Sequence, residues 1–130
     1  MTYADNRELR QELYTAFATR ASDQSLTAEQ WNNSDIMEQI LALRHEKAQL
    51  LGFANYAELS LATKMADSPE QVIGFLEDLA EKSKAQAQQD LDELQAFAQE
   101  HFNIDTIEAW DLGYYSEKMR LHFFQLSQEE

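Results

Sequence analysis

The sequence has no cysteine, one proline and three glycines in 130 residues. Without cysteine there are no disulfides, no thiolate-bound metal and no thiol nucleophile, and nothing can be read about the redox compartment. So little glycine and proline cannot supply the turns of a β-rich protein. Three scattered glycines also exclude a phosphate-binding loop or a dinucleotide fingerprint, and no serine stands in a Gly-x-Ser-x-Gly turn. Basic residues are scarce: 10 Lys and Arg against 24 Asp and Glu, a formal net charge of −14. A surface this negative repels phosphate backbones and anionic bilayers, which argues against nucleic acid and membrane surfaces as partners. No apolar run approaches the length of a membrane span, and Met1–Gln11 has no apolar signal segment, so a cytoplasmic location is the default expectation.

What remains is rich in helix formers. Hydrophobic residues make up 44% of the chain, enough to build a core, and Ala, Leu, Glu, Gln and Lys dominate. Leu9, Leu13, Phe17 and Ala21 recur every fourth residue and predict an amphipathic helix over about 3–21. Thr27 and Gln30 have the spacing of a capping box before a single turn ending near Trp31. Asn33-Ser34-Asp35 then offers a cap and a first-turn acid. The next helix carries Ile36, Met37, Ile40, Leu41, Leu43, Ala48, Leu50 and Leu51, an apolar face wide enough to predict burial on two sides. Gly52 is placed to end it, with Phe53 folding back. Asn55 and Glu58 repeat the capping box before a short helix through about Thr63.

Ser68-Pro69-Glu70-Gln71 combines a cap, a proline at the first helical position and a residue able to reach back. From there nothing stronger than Gly74 interrupts until Asn103. A helix of that length would run about 51 Å at roughly 1.5 Å per residue. Its apolar residues cluster at the two ends, Val72, Phe75, Leu76 and Leu79, then Leu91, Leu94, Phe97, Ala98 and Phe102. The polar middle, Lys82–Asp90, should face water or a partner. After a link at 103–109, Asp111 is placed to cap a last helix with Leu112, Tyr115, Met119, Phe123 and Leu126 on one face. The expected fold is all-α: a multi-helix array with one long helix, about 69–102, packed against shorter antiparallel helices, in a single segment spanning 1–130.

Candidate chemistry is thin. His45-Glu46 opens like the His-Glu-x-x-His of zinc peptidases, in which two histidines one turn apart bind the metal and the glutamate activates water. The fifth position here is Gln49, and His45, His101 and His122 are far apart in sequence, so no catalytic, cofactor or metal-ligating residue is assigned. Asp90, Asp92 and Glu93 read as a solvated helix face, since general acid–base work needs burial that nothing here imposes. Trp110, Asp111, Tyr114 and Tyr115 form the densest aromatic cluster. It could line a peptide cleft, but packing, with Asp111 as cap, is the favoured reading. Arg20 and Arg44 could clamp carboxylates, with ordinary surface ion pairs favoured.

Three stretches carry a resemblance: Tyr3–Asp23 (YADNRELRQELYTAFATRASD), Ile40–Val72 (ILALRHEKAQLLGFANYAELSLATKMADSPEQV) and Ala109–Arg120 (AWDLGYYSEKMR), the last with Trp-Asp-x-x-Tyr-Tyr at Trp110, Asp111, Tyr114 and Tyr115. Taken in order they resemble the thimet oligopeptidase family of zinc metallopeptidases, over practically the whole chain. The resemblance implies a much longer, mostly helical enzyme that cleaves short peptides in a channel between two helical halves. It also implies that zinc and its ligands belong to sequence downstream of the matched stretch, so this chain binds none. The chain then reads as an excised scaffold segment whose partners are the remainder of the peptidase and, for the whole enzyme, short peptides. Helix faces left without that remainder should be exposed, and self-association of the isolated chain would fit. The rival expectations are a free-standing helical adaptor that docks through its long helix, and a degraded, non-catalytic relative of the peptidase.

Overall fold

The computed structural model describes residues 1–125 and contains six α-helices and no strand among them. They are α1 (Arg7–Ala18), α2 (Ala28–Trp31), α3 (Ser34–Leu50), α4 (Tyr56–Leu61), α5 (Pro69–Phe102) and α6 (Leu112–Phe124). Met1–Arg20 and the chain from Gln86 onward form one compact unit, and Ala21–Ala85 forms a second. The all-α array and the long helix are as the sequence led us to expect. Leu126, assigned by pattern to the face of the last helix, lies outside the described residues.

Local chemistry explains where the helices begin and end. The Asn6 side chain accepts from the Leu9 amide at 3.0 Å and starts α1 later than the apolar repeat suggested. Ala21 adopts a left-handed φ of 59°, beyond the end of that helix. Gly52, at φ 82°, donates to the Gln49 carbonyl, and the Phe53 amide donates to Ala48. Those two bonds close the end of α3 in the way a left-handed glycine permits. Before α4, Asn55 Oδ1 accepts from the Glu58 amide while Glu58 Oε2 accepts from Ala54. Before α5, Ser68 Oγ accepts from the Gln71 amide and Gln71 Oε1 accepts from Asp67.

Two expected caps are not made. Thr27 gives no side-chain bond to α2; its hydroxyl is engaged with Ser25. Asn33 makes no side-chain cap bond to α3 either; at that end Asn32 Oδ1 accepts from the Ser34 amide and hydroxyl.

In the first unit, Leu94 and Ala98 of α5 and Tyr114 and Tyr115 of α6 form the buried cluster, with Ile104, Ile107 and Met119 packed against it. Phe102 meets Tyr115, whereas Phe97, earlier in α5, meets Phe123, so α6 runs back along α5 in the opposite sense. Gln95 secures the link between them. Its amide donates to the carbonyls of Ile104 and Asp105, and its oxygen accepts from the Ile107 amide. The face expected for α6 is only partly right: Tyr115 is buried, but Leu112 and Phe123 are 40% and 61% exposed, while Tyr114 and Glu117 are buried.

The second unit buries little. Within α3 only Ala48 is buried, and Ile36, Met37, Ile40, Leu41, Leu43, Leu50 and Leu51 are all exposed. The expected two-sided burial of α3 is therefore not met within these residues. The polar middle of α5 is exposed, as anticipated, and is laced along its surface. Lys82 pairs with Asp78, and Gln86, Gln88 and Gln89 donate to Asp90, Asp92 and Glu93, each one turn later. Each such pair adds about 0.2–0.5 kcal/mol to a solvated helix.

Two glycines should respond oppositely to alanine. Gly74 lies inside α5 with nothing within 4 Å of an added Cβ, so Gly74→Ala should stabilise by about 0.5–1 kcal/mol. Gly52→Ala should destabilise by about 1 kcal/mol or more, because φ 82° is strained for any Cβ. Urea unfolding of the two variants beside the parent chain checks the pair of signs.

Candidate functional site

Arg7 and Arg10 are one turn apart on α1, so their side chains leave the same face of the helix. Of α1 only Arg10 is buried, while the Arg7 side chain stays 42% exposed. Arg10 is 1% exposed, whereas Leu9, Leu13 and Phe17 of the apolar stripe are 52%, 52% and 69% exposed. The polarity of α1 is thus the reverse of what the apolar repeat suggested.

Both guanidiniums converge on Asp111, which is fully buried. Arg7 Nη2 donates to Asp111 Oδ2 at 2.7 Å, and Arg7 Nε reaches Oδ2 at 3.0 Å and Oδ1 at 3.3 Å. Arg10 Nη2 donates to Oδ1 at 2.8 Å. The Glu108 amide adds a fourth donor group, to Oδ2 at 3.1 Å. Asp111 stands at the start of α6 but makes no side-chain cap bond there; its oxygens are taken up by the arginines and Glu108. The remaining donors tie down the neighbouring chain. Arg7 Nη2 also reaches the Thr106 carbonyl, and Arg10 Nη1 reaches those of Ala4 and Asp5.

The aromatic residues of the motif enclose this centre. The Arg10 guanidinium lies 4.0 Å from the Tyr114 ring centroid and 5.7 Å from that of Tyr115. A cation over a ring face is favourable, more so when desolvated. Tyr114 and Tyr115 meet edge to face at 5.1 Å, and Trp110 meets Tyr14 at 6.1 Å. The Tyr114 hydroxyl donates to Asp5 Oδ1 at 2.7 Å, and Lys118 reaches the same oxygen at 3.4 Å.

Burial alone would push the Asp111 carboxyl up, but the hydrogen bonds from Arg7, Arg10 and Glu108 and the Arg7 charge outweigh it and hold it below the ordinary value of 3.8. Asp5 is held low by the Tyr114 hydroxyl first and the Lys118 charge next. Tyr114 is pushed up to about 12 by burial, with the hydrogen bond to Asp5 and its negative charge adding to the effect. The Asp111 carboxylate receives donors at both oxygens, and the Tyr114 proton is committed to Asp5. The geometry is that of a lock between α1, the 103–111 link and α6.

The other candidates fall elsewhere. His45 and Glu46 are exposed on α3, and Asp90, Asp92 and Glu93 form the exposed ladder described above. Arg20 and Arg44 make no ion pair among the described residues; they lie over Phe17 and Tyr56 instead, at 5.6 and 5.1 Å. The carboxylate clamps are instead Arg7 and Arg10. Two arginines spaced three apart on a helix were the available signal. His101 and His122 are brought together, with ring centroids 4.6 Å apart. Among the described residues, no group of three or more His, Asp or Glu side chains is placed to hold a metal ion.

The sequence model of peptidase family M3 matches residues 1–130. The chain belongs to peptidase family M3. It is similar to oligopeptidase A of Escherichia coli, with 55% identity over 130 residues, the whole of this chain and 19% of that protein. It is similar in the same way to oligopeptidase A of Haemophilus influenzae, at 51% over 130 residues and again 19% of the relative. A probable cytosolic oligopeptidase A of Arabidopsis thaliana is 42% identical over 132 residues, covering all of this chain and 18% of the plant protein. The chain thus spans about a fifth of the length of the curated relatives it matches. Within this M3 chain, the Trp-Asp-x-x-Tyr-Tyr motif is the stretch that closes the arginine lock.

Asp111→Ala should cost about 3–5 kcal/mol, since it strands the Arg10 charge in the interior. Arg7→Ala should cost about 1 kcal/mol or less, because that side chain is 42% exposed and solvent screens its pairing. Denaturant midpoints of the two variants test the ranking, and equal losses would contradict the lock.

The pH limits follow from the signs of the shifts. Asp111 is lowered in the folded state, so its contribution is present above the unfolded value of 3.8 and is lost as pH falls through the lowered one. Tyr114 is raised, so the folded chain holds that proton more tightly and loses stability as pH climbs from 10.0 to about 12. Tyr114→Phe should flatten that alkaline decline, measured by urea unfolding across the range.

Proposed function

We propose that this chain is the helical scaffold segment of a zinc-dependent oligopeptidase, an enzyme hydrolysing short peptides, and that it supplies no catalytic residue of its own. The observation that carries the reading is the unbroken similarity of all 130 residues to oligopeptidase A, at 55% identity, over only 19% of that enzyme. A three-ligand catalytic zinc site does not fit the described residues. His45-Glu46 is followed by Gln49 where a second ligand would stand, and the acid inside the motif cluster, Asp111, is spent on hydrogen bonds from Arg7, Arg10 and the Glu108 amide. No catalytic step is therefore assigned to this chain.

The exposed apolar faces support the same reading. Leu9, Leu13 and Phe17 on α1, the wide face of α3, and Ile73, Phe75, Leu76 and Leu79 on α5 are all open. They amount to more exposed apolar side chain than a self-contained domain of this size usually presents. The natural occupant of such faces is the remainder of a chain several times longer. The cytosolic Arabidopsis relative supports a cytoplasmic location.

The purified 130-residue chain should give a strongly helical circular dichroism spectrum and no hydrolysis of short peptides with or without added zinc. Its exposed faces should make it self-associate in sedimentation. Robust activity abolished by a chelator would overturn the reading.

A further inference from the structure

We propose that His101 and His122 form a two-imidazole binding site for a borderline transition-metal ion such as Ni²⁺, Cu²⁺ or Zn²⁺, an inference that does not depend on the function proposed above. The two residues are 21 positions apart in sequence, yet the antiparallel run of α6 along α5 places their ring centroids 4.6 Å apart. Two imidazoles bound side by side on one metal have a calculable spacing. With metal–nitrogen bonds of about 2.0–2.1 Å, ring centres about 1.1 Å further out, and an angle near 90°, the centroids lie about 4.5 Å apart. The observed separation already meets that requirement.

Three further features favour a cation there. Both rings are exposed, and they border an open cleft of about 460 Å³ whose other lining residues are Phe97, Phe102, Lys118 and Leu121. The opening leaves positions for water on the metal. Both histidines occupy the last turns of their helices, where the free carbonyl ends carry partial negative charge and stabilise a cation. Lys118, the one cationic side chain among the described residues lining the cleft, is engaged with Asp5 at 3.4 Å. Phe97 braces the pair, at 4.6 Å from His101 and 5.6 Å from His122.

Among the described residues, no carboxylate lines the cleft. That composition selects against Mg²⁺ and Ca²⁺, which require oxygen ligands, and in favour of metals that accept neutral nitrogen. An ion held by both rings would tie the end of α5 to the end of α6, so binding should appear as added stability of the folded chain.

The test uses the 130-residue chain stripped of metal by a chelator. Millimolar Ni²⁺ should raise its thermal midpoint by several degrees, and calorimetry should find one site per chain. His101→Gln and His122→Gln should each weaken binding at least tenfold and remove the shift, while His45→Gln, on α3, should leave it intact. Millimolar Mg²⁺ provides a control that needs no variant. No shift with Ni²⁺, an equal shift with Mg²⁺, or a shift that survives in the His101 and His122 variants would each overturn the proposal, the last two pointing to diffuse binding by a chain of net charge −14.

Discussion

A buried carboxylate held by two guanidiniums is the constraint on which the first unit depends. Removing charge from water costs several kcal/mol per ion, and only close partners with well-directed hydrogen bonds recover it. Asp111 and Arg10 are both almost wholly buried, so neither is tolerable without the other. Around them every nearby segment contributes a contact: Ala4 and Asp5 through their carbonyls, Thr106 through Arg7, Glu108 through its amide, and Tyr114 and Tyr115 through their ring faces. The apolar cluster of Leu94, Ala98, Tyr114 and Tyr115 is small. The polar centre next to it does what a larger oily core does in other domains of this size, which is to fix one arrangement of helices. One cost remains visible, since Arg10 Nε is buried with no hydrogen-bond partner among the described residues.

What could be read from the sequence divides according to distance along the chain. The stop at Gly52, the box at Asn55 and Glu58 and the start at Ser68-Pro69 were legible because each is decided within a few residues. The long α5 was legible for the same reason: no breaker intervenes, and its polar middle is supported by neighbours one turn away. Asn33 and Thr27 make no cap bond, and the neighbouring Asn32 and Ser25 side chains bond to the chain there instead, a choice that spacing alone does not resolve.

The lock was not legible. Its partners are 101 and 104 residues apart, and the local pattern pointed the other way. Leu9, Leu13 and Phe17 made the obvious inward face of α1, and Asp111 made an obvious cap. In the fold a non-local charge contact overrides both, and the apolar stripe is left outward. The same holds for His101 and His122, which are unrelated by spacing and become neighbours only because α6 turns back on α5. The family resemblance did identify the Trp-Asp-x-x-Tyr-Tyr stretch, but as a signature and not as the anchor of two arginines.

The order in which the parts of the lock appear along the chain bears on biosynthesis. Arg7 and Arg10 leave the ribosome about a hundred residues ahead of Asp111, a wait on the order of 5–20 s at about 5–20 residues per second. During that interval the whole of Ala21–Ala85 emerges, and α1 has no native counter-ion to close upon. Until residue 111 has emerged, Arg7 and Arg10 therefore cannot make the pairing that joins α1 to the start of α6 in the finished fold.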